Sequence, residues 1–273
     1  MKTAVLLTCF NRKEKTMNCI RSLTDGNPAC HFIFVVADDN SSDGTKEALE
    51  GLKESADIHL LYGDGKLYYS GGMRLAMDYT LSALPHELDY LLMVNDDVEF
   101  FEHCIEKLVA QSIEQKDAVI VGATQDAGGR LSYSGIKYTK GIHYEKVPVD
   151  RWQEELDTFN ANCVLIPYKR FEQTGSIDKM YVHSLGDFDY GIALKKNGCH
   201  IHVGKEYVGL CENNSQKGSW TDQELSRRER IKKKESDKGA PMRQWFYFLR
   251  KNFGLFTAIK GTVTPYVRIA LGK

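Results

Sequence analysis

No stretch of these 273 residues approaches the ~20 apolar residues that a membrane-spanning helix requires. A secretory leader is not expected either, because the apolar start, Thr3 to Thr8, is short and Asn11-Arg12-Lys13 follows at once. The seven cysteines are odd in number and scattered, with no C-x-x-C pair and no metal-ligand spacing. Reduced thiols and a cytoplasmic location are therefore expected. With a formal net charge of −1, no global field argues for nucleic acid. Internal repeats and low-complexity tracts are absent. The first apolar run is not followed by G-x-G-x-x-G, which argues against a dehydrogenase. It also lacks the Gly-rich, Arg- and Lys-bearing loop of a sugar-phosphate nucleotidyltransferase, since Cys9-Phe10-Asn11-Arg12 stands there. What is present is the composition of an ordinary soluble globular protein, 42% apolar and 27% charged. The length suffices for one cored domain with an appendage.

The most informative segment is Leu91-Leu92-Met93-Val94-Asn95-Asp96-Asp97-Val98. Tyr90 to Val94 reads as a buried strand, continuously apolar as in a sheet covered on both faces. Ligands of open α/β sheets collect beyond the carboxyl ends of such strands. Asp96 and Asp97 would there offer hard oxygen ligands to Mg²⁺ or Mn²⁺, leaving positions for the oxygens of a diphosphate. The plainer alternative is a polar turn and a helix cap ahead of Phe101 to Gln115. A second acidic element ends the run Phe32 to Ala37, in Asp38-Asp39-Asn40-Ser41-Ser42-Asp43-Gly44-Thr45. Ser42 or Asp43 suits a helix cap. Asp39, an acceptor only when ionised, suits the N3–H of a uracil or thymine ring.

Alternating strands and helices predict an α/β fold with a largely parallel sheet. Strands are expected at Ala4 to Thr8, Phe32 to Ala37, Ile58 to Tyr62, Tyr90 to Val94, Ala118 to Ala123 and Asn160 to Pro167. Helices are expected from about Lys13 to Leu23, Thr45 to Glu54, Gly72 to Leu84, Phe101 to Gln115 and Asp187 to Lys196. Arg130 to Pro148, rich in Gly, Tyr and Lys, reads as a hairpin or mobile loop. His200 and His202 share one face of a predicted strand and are given a structural role, while His183 lacks a helical metal-binding partner.

Thr3 to Arg12 followed by Val35 to Thr45 resembles the opening of the family 2 glycosyltransferases of GT-A fold, a Rossmann-like, mostly parallel mixed sheet flanked by helices. Asn95-Asp96-Asp97 fits that family's metal-binding acidic motif, and Asp187 in Gly186-Asp187-Phe188-Asp189-Tyr190 resembles its late acidic motif. The resemblance implies an inverting, metal-dependent transferase taking a sugar from a UDP- or dTDP-sugar to a saccharide acceptor, in bacterial cell-surface polysaccharide synthesis. It assigns Asp187 as catalytic base, Asp97 as the leading ligand of Mn²⁺ or Mg²⁺, and Thr8, Asn11, Asp39 and Asp96 to the nucleotide. Gly71, Gly72 and Arg74 are assigned to the donor sugar or phosphate, and Asp189 to the acceptor. Glu212 is the candidate third metal ligand where relatives carry a His. A catalytically silent nucleotide-sugar-binding or scaffold protein is the competing reading.

Residues 1–219 are expected to form the transferase domain and 220–273 a basic, aromatic-rich helical extension. In the extension Trp245, Phe248, Leu249, Phe256 and Ile259 fall at helical spacing beside Arg250, Lys251 and Lys260. Such a helix suits the headgroup region at the inner face of the cytoplasmic membrane, or packing on the domain or a second subunit. The ending resembles that of rhamnosyltransferase-like members with lipid-linked saccharide acceptors.

Overall fold

A computed structural model describes residues 1–84 and 88–272. Strand β1 (Lys2–Cys9) leads to helix α1 (Lys13–Gly26), β2 (His31–Asp38) to α2 (Thr45–Gly51), and β3 (Asp57–Tyr62) to α3 (Tyr68–Ala83). Next come β4 (Tyr90–Asn95), the two-residue β5 (Glu99–Phe100), α4 (Cys104–Glu114) and β6 (Val119–Gln125). An excursion follows through β7 (Leu131–Tyr133), β8 (Gly135–Lys140), β9 (His143–Lys146) and β10 (Thr158–Phe159). The chain continues with β11 (Cys163–Pro167), α5 (Tyr168–Thr174), α6 (Gly186–Lys196) and β12 (Ile201–Leu210). Helices α7 (Arg227–Lys234), α8 (Met242–Phe253) and α9 (Leu255–Ala270) complete it.

Among the described residues nine strands join one sheet in the order β3-β2-β1-β4-β11-β6-β12-β5, with β7 on β6. Strands β1 to β4 run parallel. Strand β11 lies antiparallel between β4 and β6, so the sheet is mixed. Strands β10, β8 and β9 form a small second sheet.

The apolar runs are continuous because both faces are covered. Ala4 and Leu6 point to one side with Val35, Met73 and Leu91. Val5 and Leu7 point to the other with Phe34, Ile20 and Leu92. A period of two therefore builds two cores from one strand. Register then sets the site, because Thr8 pairs across to Ala37 on one side and Asn95 on the other. The loops bearing Asp38-Asp39 and Asp96-Asp97 thus leave one rim of the sheet beside Thr8.

Two helices start elsewhere than the sequence suggests. Helix α3 begins at Tyr68 rather than Gly72, because distant groups receive its first N–H donors. Tyr68 N donates to Asp39 Oδ2 at 3.0 Å, and Ser70 N and Gly71 N donate to the Val182 carbonyl at 3.0 and 3.2 Å. Helix α4 begins at Cys104 rather than Phe101, because Glu99–Phe100 pairs with β12. Arg130 to Pro148 is built from paired strands. In the C-terminal extension, Phe248 and Leu249 of α8 are buried in the same core as Leu6 and Tyr190.

Candidate active site

The rim of β1, β2 and β4 forms the floor of a cleft of about 730 Å³, within the range of small-molecule sites. Thr8, Asp39, Asp96, Asp97 and Asp187 all line it, although they come from four separate segments. Strand β1 supplies Thr8, the loop after β2 supplies Asp39, the turn after β4 the acidic pair, and the first turn of α6 Asp187.

Arg12, just beyond β1, bridges the acidic pair. Its Nη1 donates to Asp96 Oδ1 at 2.9 Å and to Asp97 Oδ2 at 3.0 Å. Asp96 is buried, and burial pushes its carboxyl up to about 6 against the opposing pull of Arg12. Burial lowers the pKa of the Arg12 guanidinium, but the two carboxylates more than offset this and raise it. Asp97 is more accessible and also accepts from the Cys211 thiol at 3.6 Å. Two carboxylate oxygens thus converge on one cationic nitrogen at the cleft. That donor set fits Mg²⁺ or Mn²⁺ as a two-carboxylate site completed by phosphate oxygens and water. Among the described residues no group of three or more His, Cys, Asp or Glu side chains is arranged to hold a metal ion. Glu212, the candidate third ligand, instead accepts from Ala127 N at 2.9 Å.

Asp39 is buried and accepts two backbone donors, Gly65 N at 2.9 Å on Oδ1 and Tyr68 N at 3.0 Å on Oδ2. It therefore shapes the loop leading into α3. Each oxygen keeps a lone pair, so a ring N–H can still be accepted from the cleft.

Asp187 occupies the first turn of α6, after Leu185 in the left-handed region with φ 71°. Its Oδ1 accepts from Phe188 N at 2.9 Å and its Oδ2 from Ala161 N at 3.4 Å. Burial pushes its carboxyl up to about 6, against the lowering effect of those N–H donors. A carboxylate with such a pKa is a competent proton acceptor near neutrality.

Other expected residues lie outside the cleft lining. Asn11 is exposed with φ 51°, and its Oδ1 accepts from Ser42 N at 2.7 Å, joining the loops after β1 and β2. Gly71 and Gly72 are buried inside α3 rather than in a turn. A Cβ on Gly72 would meet Thr8 Oγ1 at 2.2 Å, so this glycine lets α3 approach β1. Arg74 donates through Nη1 to the Tyr181 carbonyl at 3.1 Å and the Asp178 carbonyl at 3.4 Å. Asp189 is buried and turned towards α8, accepting from Lys251 Nζ at 2.7 Å and Asn252 Nδ2 at 2.8 Å. His202 Nδ1 lies 3.1 Å from the Glu154 carbonyl, in keeping with a structural role.

Several cleft residues carry no sequence signal. Arg12 is one, since nothing local announces a pairing across more than eighty positions. His183 is another, and among the described residues neither its buried Nδ1 nor the buried Asn95 Oδ1 has a hydrogen-bond partner. Burial lowers the pKa of His183, with Lys238 adding to the effect. Tyr69, Tyr133, Tyr138 and Tyr144, with Trp245 and Phe248 from α8, give the cleft an aromatic wall.

The solved structures similar to this chain share its fold. TarS residues 1–349 of S. aureus, in complex with UDP-GlcNAc, is similar at a TM-score of 0.61 and 14% identity, over 99% of this chain and 83% of that one. The mannosyltransferase PcManGT of Pyrobaculum calidifontis, in complex with GDP-Man and Mn²⁺, also gives 0.61, at 10% identity, over 99% and 73%. A longer S. aureus TarS structure is similar at 0.58 and 14% identity over 93% of this chain, which spans only 44% of that one. Comparison with curated proteins by sequence gives no match. The family model for glycosyl transferase family 2 matches residues 4–173, which is more than half of the chain and includes β1, β2 and the acidic pair. The chain is a glycosyltransferase and belongs to that family.

Proposed function

We propose that the chain transfers a sugar, with inversion, from a UDP- or dTDP-sugar to a saccharide hydroxyl in the assembly of a bacterial surface polysaccharide. The single observation carrying this is the convergence of Asp39, Asp97 and Asp187 on one cleft. Asp39 and Thr8 would hold the nucleoside, the imide N3–H of a pyrimidine donating to Asp39. Arg12 would meet the diphosphate, as a guanidinium forks onto phosphate oxygens. Asp187 would take the acceptor proton as the acceptor oxygen bonds to the anomeric carbon and the bond from that carbon to the diphosphate oxygen breaks. The proton ends on the carboxylate and the electron pair on the departing nucleoside diphosphate. Such positioned bases contribute ~10²–10⁴-fold. Asp97, with Asp96 beside it, would hold Mg²⁺ or Mn²⁺, which when bound neutralises charge on the diphosphate. The nucleotide sugars in the similar structures, UDP-GlcNAc in one and GDP-Man with Mn²⁺ in another, support a nucleotide-sugar donor; the choice of a pyrimidine rests on Asp39 alone.

The test is nucleotide release from a panel of UDP-, dTDP- and GDP-sugars with Mn²⁺, wild type against Asp187→Asn. Release by the wild type alone, with donor binding intact in the variant, supports transfer. Binding without turnover by either protein would instead make the chain a nucleotide-sugar-binding protein.

A further inference from the structure

Helix α9 buries one face and leaves an apolar face uncovered. Ala258, Gly261, Thr262, Pro265 and Ile269 are buried. Gly261 lies so close to α8 that a Cβ there would fall 2.5 Å from Leu249 Cδ1. Trp245 Nε1 of α8 donates to the Gly261 carbonyl at 3.0 Å. Away from these contacts, Leu255, Ile259, Val263, Val267 and Leu271 recur every fourth residue with Phe256 beside them. They are between 48% and 81% exposed. Fourfold spacing gathers them into one stripe along the helix. From Pro241 to the last residue the sequence has six Lys and Arg and no Asp or Glu. Lys260 and Arg268 on α9, and Arg250 on α8, are exposed.

We propose that this face docks on an anionic phospholipid bilayer, with α9 lying in the plane of the headgroups. An apolar stripe flanked by cations, with no acid on α8 or α9 and with Glu235 engaged by Tyr266, complements acyl chains below a layer of anionic headgroups. A second copy of the chain is the poorer occupant, because two-fold packing would set the same cationic edges against each other. Crossing is not available to α9, whose 16 residues span ~24 Å against a hydrocarbon core of ~30 Å. Among the described residues no helix is long and apolar enough to cross a membrane. Trp245 and Phe248 on α8 line the cleft, so docking would hold that wall about one helix diameter, ~10 Å, from the bilayer. If the transfer reading holds, this favours an acceptor saccharide attached to a lipid; the docking itself does not depend on that reading.

Flotation of the full chain with vesicles decides the matter. The expected result is binding to phosphatidylcholine vesicles containing phosphatidylglycerol, weakened by salt, and at least tenfold weaker binding to phosphatidylcholine alone. Phe256→Ser with Ile259→Ser should lower binding at least tenfold, as should Lys260→Glu with Arg268→Glu, with thermal unfolding and nucleotide binding unchanged in both. No binding to the anionic vesicles, or wild-type binding by the serine variant, overturns the proposal. So does a solution dimer that the serine variant disperses while no vesicle binding occurs, which would assign the face to a second copy.

Discussion

Asp187 is held between burial, which raises its carboxyl pKa to about 6, and the N–H donors of Phe188 and Ala161, which lower it. A base must be ionised to act, so turnover should fall as pH drops through about 6 and level off above it, read as log kcat/KM against pH. The sign for stability is the reverse. Between the ordinary carboxylate pKa near 4 and about 6 the folded protein holds more protons than the unfolded one, so Asp187 lowers stability as pH rises through that window. Asp187→Asn should therefore lose ~10²–10⁴ in kcat. Its thermal midpoint at pH 7 should be unchanged or higher, the gain in unfolding free energy being about 1–2 kcal/mol after allowance for the solvent that reaches the cleft. A large fall in that midpoint would assign Asp187 a structural role. Arg12 makes a different prediction, because a divalent ion between Asp96 and Asp97 must displace its Nη1. Arg12→Met should tighten Mn²⁺ binding without nucleotide by about tenfold, worth about 1.4 kcal/mol, and weaken nucleoside diphosphate binding, both read by calorimetry. Asp39 and Asp97 were legible as cleft residues because each follows an apolar run, and Asp187 because its segment resembles the family's late acidic motif. Arg12 was not, because its partners are fixed by the β1–β4 register rather than by neighbours in sequence.

Among the elements, the strands of the parallel half were readable because a doubly covered sheet demands uninterrupted apolar residues, and β1, β2 and β4 supply them. Helix starts were less so. The first donors of α3 are met by Asp39 and by the Val182 carbonyl, groups far along the chain, and no local cap marks Tyr68. The same blindness applies to Asp189, expected at the acceptor but engaged with α8 through Lys251 and Asn252. Removing that carboxylate leaves two donors with one fewer acceptor, although Lys251 retains Asp178 at 3.0 Å. Asp189→Ala should cost about 2 kcal/mol in chemical denaturation, with donor affinity little altered. Gly72→Ala should be destabilising by about 1–3 kcal/mol, since the added methyl collides with Thr8 where α3 meets β1.

For the molecule as a whole, the cleft binds its ligand only when folded, so ligand binding must raise stability. A nucleoside diphosphate at a hundred times its Kd should add about 2.7 kcal/mol, visible as a rise in Tm. Pyrimidine nucleotides should give the larger rise if Asp39 reads the ring, and Asp39→Asn should narrow the difference between bases. The overall layout, an α/β sheet with helices on both sides and a helical ending, was apparent from the alternation of elements. The aromatic wall was not, because Tyr69 comes from α3, the other tyrosines from the β7–β9 excursion and the tryptophan from α8, and only tertiary packing brings them together. Helix α8 thereby belongs to two structures at once, giving Phe248 and Leu249 to the main core and Trp245 and Phe248 to the cleft. A shortened protein ending near residue 219 should therefore emerge insoluble and unable to retain nucleotide, because amputating the tail strips the catalytic half of part of its own interior.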